Sequence, residues 1–176
     1  MIERFWDPDW EVFFDTSLEH TRLLVRPRDV LDNALPSGGA SAAMALLRLS
    51  VFTGLPGYAA KAEASMKSLL PHMEQSPSAV TSWLAAVDFL TASRQEVVVI
   101  GGQEDPTVAD MLREVRGRFA PNTVLGGAHA QPGNTEKTPL LQGRGLTDGK
   151  ATAYVCESYV CGLPVTSAAD LAAQLT

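Results

Sequence analysis

The chain has 176 residues, 45% of them hydrophobic, which is enough to bury a core in one domain or two small ones. Its net charge of −6 argues against a nucleic-acid partner, because contact with a phosphate backbone relies on clustered Lys and Arg. No apolar run approaches the roughly 20 residues of a membrane-spanning helix, and the N-terminus lacks a secretory pattern. Two cysteines are too few for a disulfide scaffold and are typical of a reducing compartment, so we expect a cytoplasmic protein without a membrane partner.

The first half of the chain predicts a loop-rich segment followed by helices. Residues 1–38 mix aromatic and charged side chains, with one short extended piece at Leu23-Leu24-Val25. Apolar residues at helical spacing then predict three helices, over about 40–53, 58–73 and 78–92. Their short connections are typical of antiparallel neighbours, so we expect a domain of helical hairpins at 1–93.

The pattern changes near residue 94, where strands begin. Val97–Ile100 is a continuous β-branched run, typical of a buried strand, and Asp105-Pro106 then begins a helix with Asp as N-cap and Pro in the first turn. A second strand at Asn122–Leu125 completes a crossover unit, which predicts parallel strands. A surface loop, a third strand and a closing helix follow, over 126–150, Thr152–Cys156 and Ser167–Leu175. The sequence therefore predicts a small α/β domain at 94–176 with a short parallel sheet.

Gly101-Gly102, between the predicted strand and helix, lies where a phosphate could bind a helix N-terminus. The segment does not match the dinucleotide fingerprint G-x-G-x-x-G. Glu104 and Asp105 would repel a phosphate, and Pro106 removes one N–H donor. We therefore expect an ordinary strand-to-helix turn, no tight nucleotide binding and no cofactor.

Cys156 and Cys161 have C-x4-C spacing, unlike the C-x-x-C of redox pairs and zinc knuckles. In one extended strand they would lie about 16 Å apart, whereas a disulfide needs Cα atoms within about 7 Å. Only a turn at Glu157–Tyr159 could bring them together. We expect two buried, reduced cysteines, with a redox or metal role as the alternative. The three histidines are scattered without ligand spacing, so no metal site is predicted.

Charged side chains are densest in the segment before the first predicted helix. The members are Asp15, Glu19, Arg26, Arg28, Asp29 and Asp32. Paired carboxylates with arginines can bind a sugar or act as acid and base. The alternative, which we favour, is a solvated loop whose charges pair with one another.

Several motifs, in order along nearly the whole chain, resemble one known family. They are Phe13-Phe14-Asp15-Thr16, Leu23-Leu24-Val25-Arg26-Pro27-Arg28-Asp29, Asp32-Asn33-Ala34-Leu35-Pro36-Ser37-Gly38, Thr152-Ala153-Tyr154-Val155-Cys156, and Cys161 with Pro164-Val165-Thr166. The chain resembles the C-terminal part of thioredoxin-domain-containing proteins of the spermatogenesis-associated type. The resemblance implies a partial α/α toroid like that of six-hairpin glycosidases and N-acylglucosamine 2-epimerases. Glu11-Val12 replace the family's Gly-Gly, and Gly39-Ala40 replace its Asn-Ser.

The function expected from this resemblance is that of a non-catalytic accessory or interaction module. The rival is a sugar-binding or glycosidase-like enzyme part that uses the candidate ligand residues Asp15, Arg26, Asp29, Asp32 and Ser37, so enzymatic activity is left open. A second rival is thiol chemistry at the two cysteines. Two hairpins of a toroid leave their flanks open, which favours self-association as a dimer or packing against an upstream thioredoxin or toroid domain.

Overall fold

A computed structural model describes residues 1–20, 24–130, 133, 135, 138–157 and 160–175 of the chain. The chain divides into two compact units. The first comprises Met1–Ser50 and Leu55–Thr91, and the second comprises Val51–Gly54 and Ala92–Thr176.

The first unit begins with a short helix and a small sheet rather than with a helical hairpin. Its helices and strands are α1 (Ile2–Phe5), β1 (Trp6–Asp7), β2 (Val12–Phe13), α2 (Gly38–Thr53, whose last three residues belong to the second unit), α3 (Pro56–Lys67), α4 (Leu70–Gln75) and α5 (Thr81–Thr91), with a 3₁₀ turn at Pro77–Ala79. β1 and β2 pair antiparallel, with Trp6 opposite Phe13 and their ring centroids 4.9 Å apart. The prediction of an all-helical, partly toroidal 1–93 is therefore wrong, because cross-strand aromatic packing organises the N-terminal segment as a sheet.

The helix predicted over residues 58–73 is two helices, α3 and α4. Pro71 lies in the first turn of α4, where its missing N–H costs nothing. Inside one continuous helix, the same ring would clash with the carbonyl of Lys67. The chain therefore breaks at Ser68–Leu69. In the extended piece predicted at Leu23-Leu24-Val25, Leu23 lies outside the described residues, and the other two residues belong to no strand.

Trp83 on α5 is the largest fully buried side chain described in the first unit, with 1% exposure. Its Nε1 donates to the Val30 carbonyl at 3.0 Å, so the indole holds the irregular segment before α2 as well as filling the core. A Cβ at Gly39 would lie 2.7 Å from the Trp83 ring. The first turn of α2 can therefore approach the indole this closely only with glycine at position 39.

The second unit contains a four-stranded mixed sheet. Its elements are β3 (Gln95–Gly101), α6 (Pro106–Arg116), β4 (Thr123–His129), β5 (Thr152–Glu157), β6 (Val160–Cys161) and α7 (Ala168–Gln174). The strand order is β4-β3-β5-β6. β3 and β4 are parallel as predicted, but β5 is antiparallel to β3, and β6 is antiparallel to β5.

The prediction of a purely parallel sheet is thus wrong. A parallel neighbour needs a crossover that carries the chain back to the starting end, usually through an α-helix. Between β4 and β5, the helical structure in the described residues is limited to a 3₁₀ turn at Pro139–Leu141, and the returning chain enters β5 from the opposite end.

The two faces of this sheet differ in chemistry. One face is apolar and packs against α6 and α7, through Val97, Val99, Ala153 and Val155. Because side chains alternate along a strand, Glu96 and Cys156 belong to the other face. Glu96 is opposite Cys156 in the β3–β5 register, and Cys156 is opposite Cys161 in the β5–β6 register. This row of three residues places a carboxyl group and two sulfurs side by side.

Candidate functional site

The acidic residues predicted as a ligand site lie around the N-terminus of α2, where their carboxylates accept hydrogen bonds from other groups of the chain. The Asp15 carboxylate accepts a hydrogen bond from the Asp29 backbone N–H at 2.6 Å. The Asp29 carboxylate accepts from the Leu31 N–H and the Asn33 side chain, each at 3.2 Å. These contacts shape the loop between β2 and α2.

Asp32 connects the N-terminal ends of two helices. Its Oδ1 accepts from the Ser37 N–H at 2.9 Å, just before α2. Its Oδ2 accepts from the Ser82 N–H at 2.7 Å and from the Thr81 hydroxyl at 3.2 Å, in the first turn of α5. Burial opposes ionisation, but these hydrogen bonds outweigh it and hold the pKa of Asp32 below its ordinary value of 3.8. The carboxylate therefore satisfies donors that each helix leaves unpaired at its start.

Ser37 and Arg26 are also engaged by the backbone. The buried Ser37 hydroxyl accepts from the Ala40 N–H at 3.1 Å, as the N-cap of α2. Arg26 Nη2 donates to the Thr16 carbonyl at 2.9 Å, and its guanidinium lies 4.1 Å from the centroid of the Phe14 ring. The structure thus brings Asp15 to Asp29 and Asp32 to Ser37, but each group already has a partner within the fold.

Two shallow pockets in the first unit share Met1. The larger, about 390 Å³, is lined by Met1, Ile2, Glu3, Leu46, Leu49 and Tyr58, and we call it the Met1 groove. The other, about 350 Å³, is lined by Met1, Phe5, Phe13, Phe14, Asp15, Gly38 and Ala42. Of the predicted ligand residues, only Asp15 lines either pocket.

In the second unit, Cys156 and Cys161 form a disulfide, which corrects the expectation of two reduced cysteines. The reason is the β5–β6 hairpin, because two residues facing each other across antiparallel strands are close in space whatever their sequence separation. Their Cα atoms lie 3.9 Å apart, far nearer than in one extended strand. Of the turn predicted at Glu157–Tyr159, Ser158 and Tyr159 lie outside the described residues.

Arg144 reaches this disulfide from the loop before β5. Its Nη2 lies 3.0 Å from Cys156 Sγ and 3.7 Å from Cys161 Sγ. The neighbouring Gly145 fixes the loop to β5, because its N–H donates to the Tyr154 hydroxyl at 3.1 Å and its carbonyl accepts from that hydroxyl at 2.9 Å. Burial lowers the pKa of Arg144, and the nearby Glu96 and Tyr154 oppose that shift. The guanidinium is therefore a positioned cation beside the two sulfurs.

Glu96 is a buried carboxyl group on the same row, with 3% of its surface exposed. Burial raises the pKa of Glu96 above its ordinary value of 4.5, while Arg144 and Arg94 act in the opposite direction. Glu96 thus shares Arg144 with the disulfide. Sequence reasoning did not select Glu96 or Arg144. The available signal was a glutamate beside a β-branched buried strand, where charged residues are uncommon.

The Gly101-Gly102 turn lines a pocket of about 270 Å³ at the carboxyl ends of β3 and β4, together with Gln103, Val108 and other residues. The Asp105 carboxylate accepts from the Thr107 N–H at 2.8 Å, as the predicted N-cap of α6. A Cβ at Gly101 would overlap Val108, so the first glycine serves close packing between strand and helix. The expectation of no tight nucleotide binding stays a prediction.

In the described part of the chain, no group of three or more His, Cys, Asp or Glu side chains is placed to hold a metal ion. None of the helices in the described residues is both long enough and apolar enough to cross a membrane.

Comparison with known proteins finds similarity to spermatogenesis-associated protein 20. The human protein is 28% identical over 170 residues, and the mouse and rat proteins are each 26% identical over the same length. Each alignment covers 95% of this chain but only 22% of the relative, so the chain spans about a fifth of the length of these proteins. No family model matches the chain. The similarity confirms the spermatogenesis-associated part of the resemblance, while the thioredoxin part stays a prediction.

Proposed function

We propose that this chain is a non-catalytic interaction module, resembling the C-terminal end of a thioredoxin-domain-containing protein of the spermatogenesis-associated type. The similarity to about a fifth of a longer relative supports a role as one part of a larger assembly. Such a module acts by presenting a surface, and its polar groups serve mainly to hold that surface in shape.

The observation that carries this proposal is the hydrogen bonding of the Asp32 carboxylate within the fold. Both carboxylate oxygens accept hydrogen bonds from the N-terminal ends of helices, which is a structural role. A sugar site or an acid–base pair needs carboxyl groups that face substrate. Asp15 and Asp29 are also tied to backbone or side-chain donors of their own loop, so the glycosidase-like alternative is not favoured.

The Met1 groove is the surface that we assign to this role. Met1 and Leu49 on its rim are 54% and 42% exposed, although both are large apolar side chains. Large apolar side chains that are exposed together often mark a protein interface. For the isolated chain, we propose a second copy as the occupant, because a two-fold pairing of one surface with itself closes without leaving an open end.

Light scattering coupled to gel filtration at micromolar concentration tests the proposal. We expect a dimer, and we expect Leu49→Glu to convert it to a species near the 18.8 kDa of one chain. The reason is that a charge buried in an apolar interface has no partner. Phe119→Glu is the matched control, because Phe119 is a 97% exposed apolar residue of the second unit and should leave the dimer intact.

Two results would contradict this account. A single monomeric species for the unmodified chain would rule out self-association. Dissociation by Phe119→Glu but not by Leu49→Glu would assign the interface to another surface.

A further inference from the structure

We infer that the Cys156–Cys161 disulfide is a thiol–disulfide exchange site, at which an external thiolate attacks Cys161 and Cys156 leaves. This role is independent of the interaction surface, because every residue that carries it lies in the second unit.

The two sulfurs differ in access. Cys156 is 1% exposed on β5, whereas Cys161 is exposed on β6, which forms one edge of the sheet. An attacking thiolate must reach one sulfur and displace the other. Exposure therefore makes Cys161 the attacked residue and Cys156 the leaving group.

Arg144 favours the same direction. Its Nη2 is closer to Cys156 Sγ than to Cys161 Sγ, at 3.0 Å against 3.7 Å. A cation beside a cysteine stabilises its thiolate, and a more stable thiolate leaves faster. The contact between Gly145 and Tyr154 holds Arg144 in place before the bond breaks, so the charge does not have to be recruited during the reaction.

The exchange balances with a dithiol as the electron donor. The first thiolate of the dithiol forms a mixed disulfide with Cys161, and the S–S bond to Cys156 breaks, leaving the Cys156 thiolate beside Arg144. The second thiolate then attacks the reductant's own sulfur in the mixed disulfide and releases Cys161. The dithiol becomes a disulfide, the protein gains two electrons, and the two thiol protons end on Cys156 and Cys161.

The attack site is tested by trapping the mixed disulfide. Oxidised full-length chain is treated with glutathione, which has one thiol, quenched with an alkylating reagent and mapped by mass spectrometry. We expect glutathione on Cys161 and the alkyl group on Cys156. Glutathione mainly on Cys156, or equally on both residues, would overturn the assignment.

The role of Arg144 is tested by the rate of reduction with dithiothreitol. We expect Arg144→Gln to slow reduction about tenfold, since the leaving thiolate loses its cation, and Arg144→Lys to restore part of the rate. The control is Arg113→Gln, an exposed arginine on α6 that pairs with Asp110. Unfolding would expose Cys156 and speed the reaction, so misfolding cannot imitate the expected result. A rate for Arg144→Gln equal to that of Arg113→Gln, or above it, would overturn the role of Arg144.

Discussion

The acidic segment before α2 and the Glu96–Cys156–Cys161 row use carboxyl groups in opposite ways. Asp32 accepts hydrogen bonds at two helix N-termini, and they lower its pKa. Glu96 is buried on a sheet face, and burial raises its pKa. The segment with the higher charge density in the sequence is therefore the structural one. The carboxyl group of Glu96 and the two cysteine sulfurs lie in segments where the sequence carries fewer charges.

Of the substitutions that test these two regions, removal of Trp83 should lower the free energy of unfolding most. Trp83→Ala deletes a fully buried indole and its hydrogen bond to the Val30 carbonyl, so we expect the free energy of unfolding to fall by about 3–5 kcal/mol. Urea unfolding measures the change. Trp10→Ala is the control, because Trp10 is 75% exposed and should alter stability by less than about 0.5 kcal/mol. A loss under about 1 kcal/mol for Trp83→Ala would show that the indole does not hold the acidic segment.

Adding a methyl group at Gly39 should have the next largest effect. The new Cβ would lie 2.7 Å from the indole, so Gly39→Ala should destabilise the fold by about 1–3 kcal/mol through overpacking. Gly57→Ala, also in the first unit, has no atom within 4 Å of its Cβ and serves as the control. Thermal melts compare the two variants, and equal midpoints would contradict the close approach of α2 to Trp83.

Neutralising Asp32 should lower the free energy of unfolding by about 1–2 kcal/mol at pH 7, as the loss of a helix cap does. Its folded pKa is depressed, so its contribution is present above the unfolded pKa and is lost as the pH falls through the folded pKa. The deficit of Asp32→Asn in urea unfolding should therefore disappear in acid. The exposed Asp9→Asn is the control. A deficit that persists unchanged at pH 2 would mean that charge is not its cause.

Neutralising Glu96 should change the free energy of unfolding least, and it should raise it, whereas neutralising Asp32 lowers it. Its folded pKa is raised, so its favourable contribution is complete below the ordinary value of 4.5 and is lost as the pH rises through the folded pKa. Glu96→Gln cannot ionise, and we expect it to be slightly more stable than the unmodified chain at neutral pH and equal to it in acid. Glu104→Gln is the control, because Glu104 is exposed and its replacement should leave stability unchanged both at neutral pH and in acid. Lower stability of Glu96→Gln at neutral pH would show that Arg144 holds Glu96 ionised.

Local signals in the sequence predicted some elements well. The N-cap and proline at Asp105-Pro106 predicted the start of α6, and the β-branched run predicted β3. Pro71 should have divided the helix predicted over 58–73, because the interior of a helix does not accommodate its ring. Such features can be read because the residues that decide them are neighbours in the chain.

The site could not be predicted in this way, because it depends on the pairing of strands. The sequence between β5 and β6 contains none of the Asn-Gly or Asp-Gly pairs that mark tight hairpins, so no local signal placed Cys156 opposite Cys161. Glu96 joins them only through its register with β5, a strand more than fifty residues further along the chain. Arg144 reaches the row from a loop whose sequence carries no motif.

Oxidation of the reduced chain tests most directly whether this row exists. Reduced protein is treated with glutathione disulfide, blocked by alkylation and mapped by mass spectrometry. Because the hairpin places the two residues opposite each other, we predict an internal Cys156–Cys161 bridge, seen as the loss of two hydrogen atoms with no glutathione retained. Separate glutathione adducts that persist on Cys156 and Cys161 would contradict the hairpin and the site built on it.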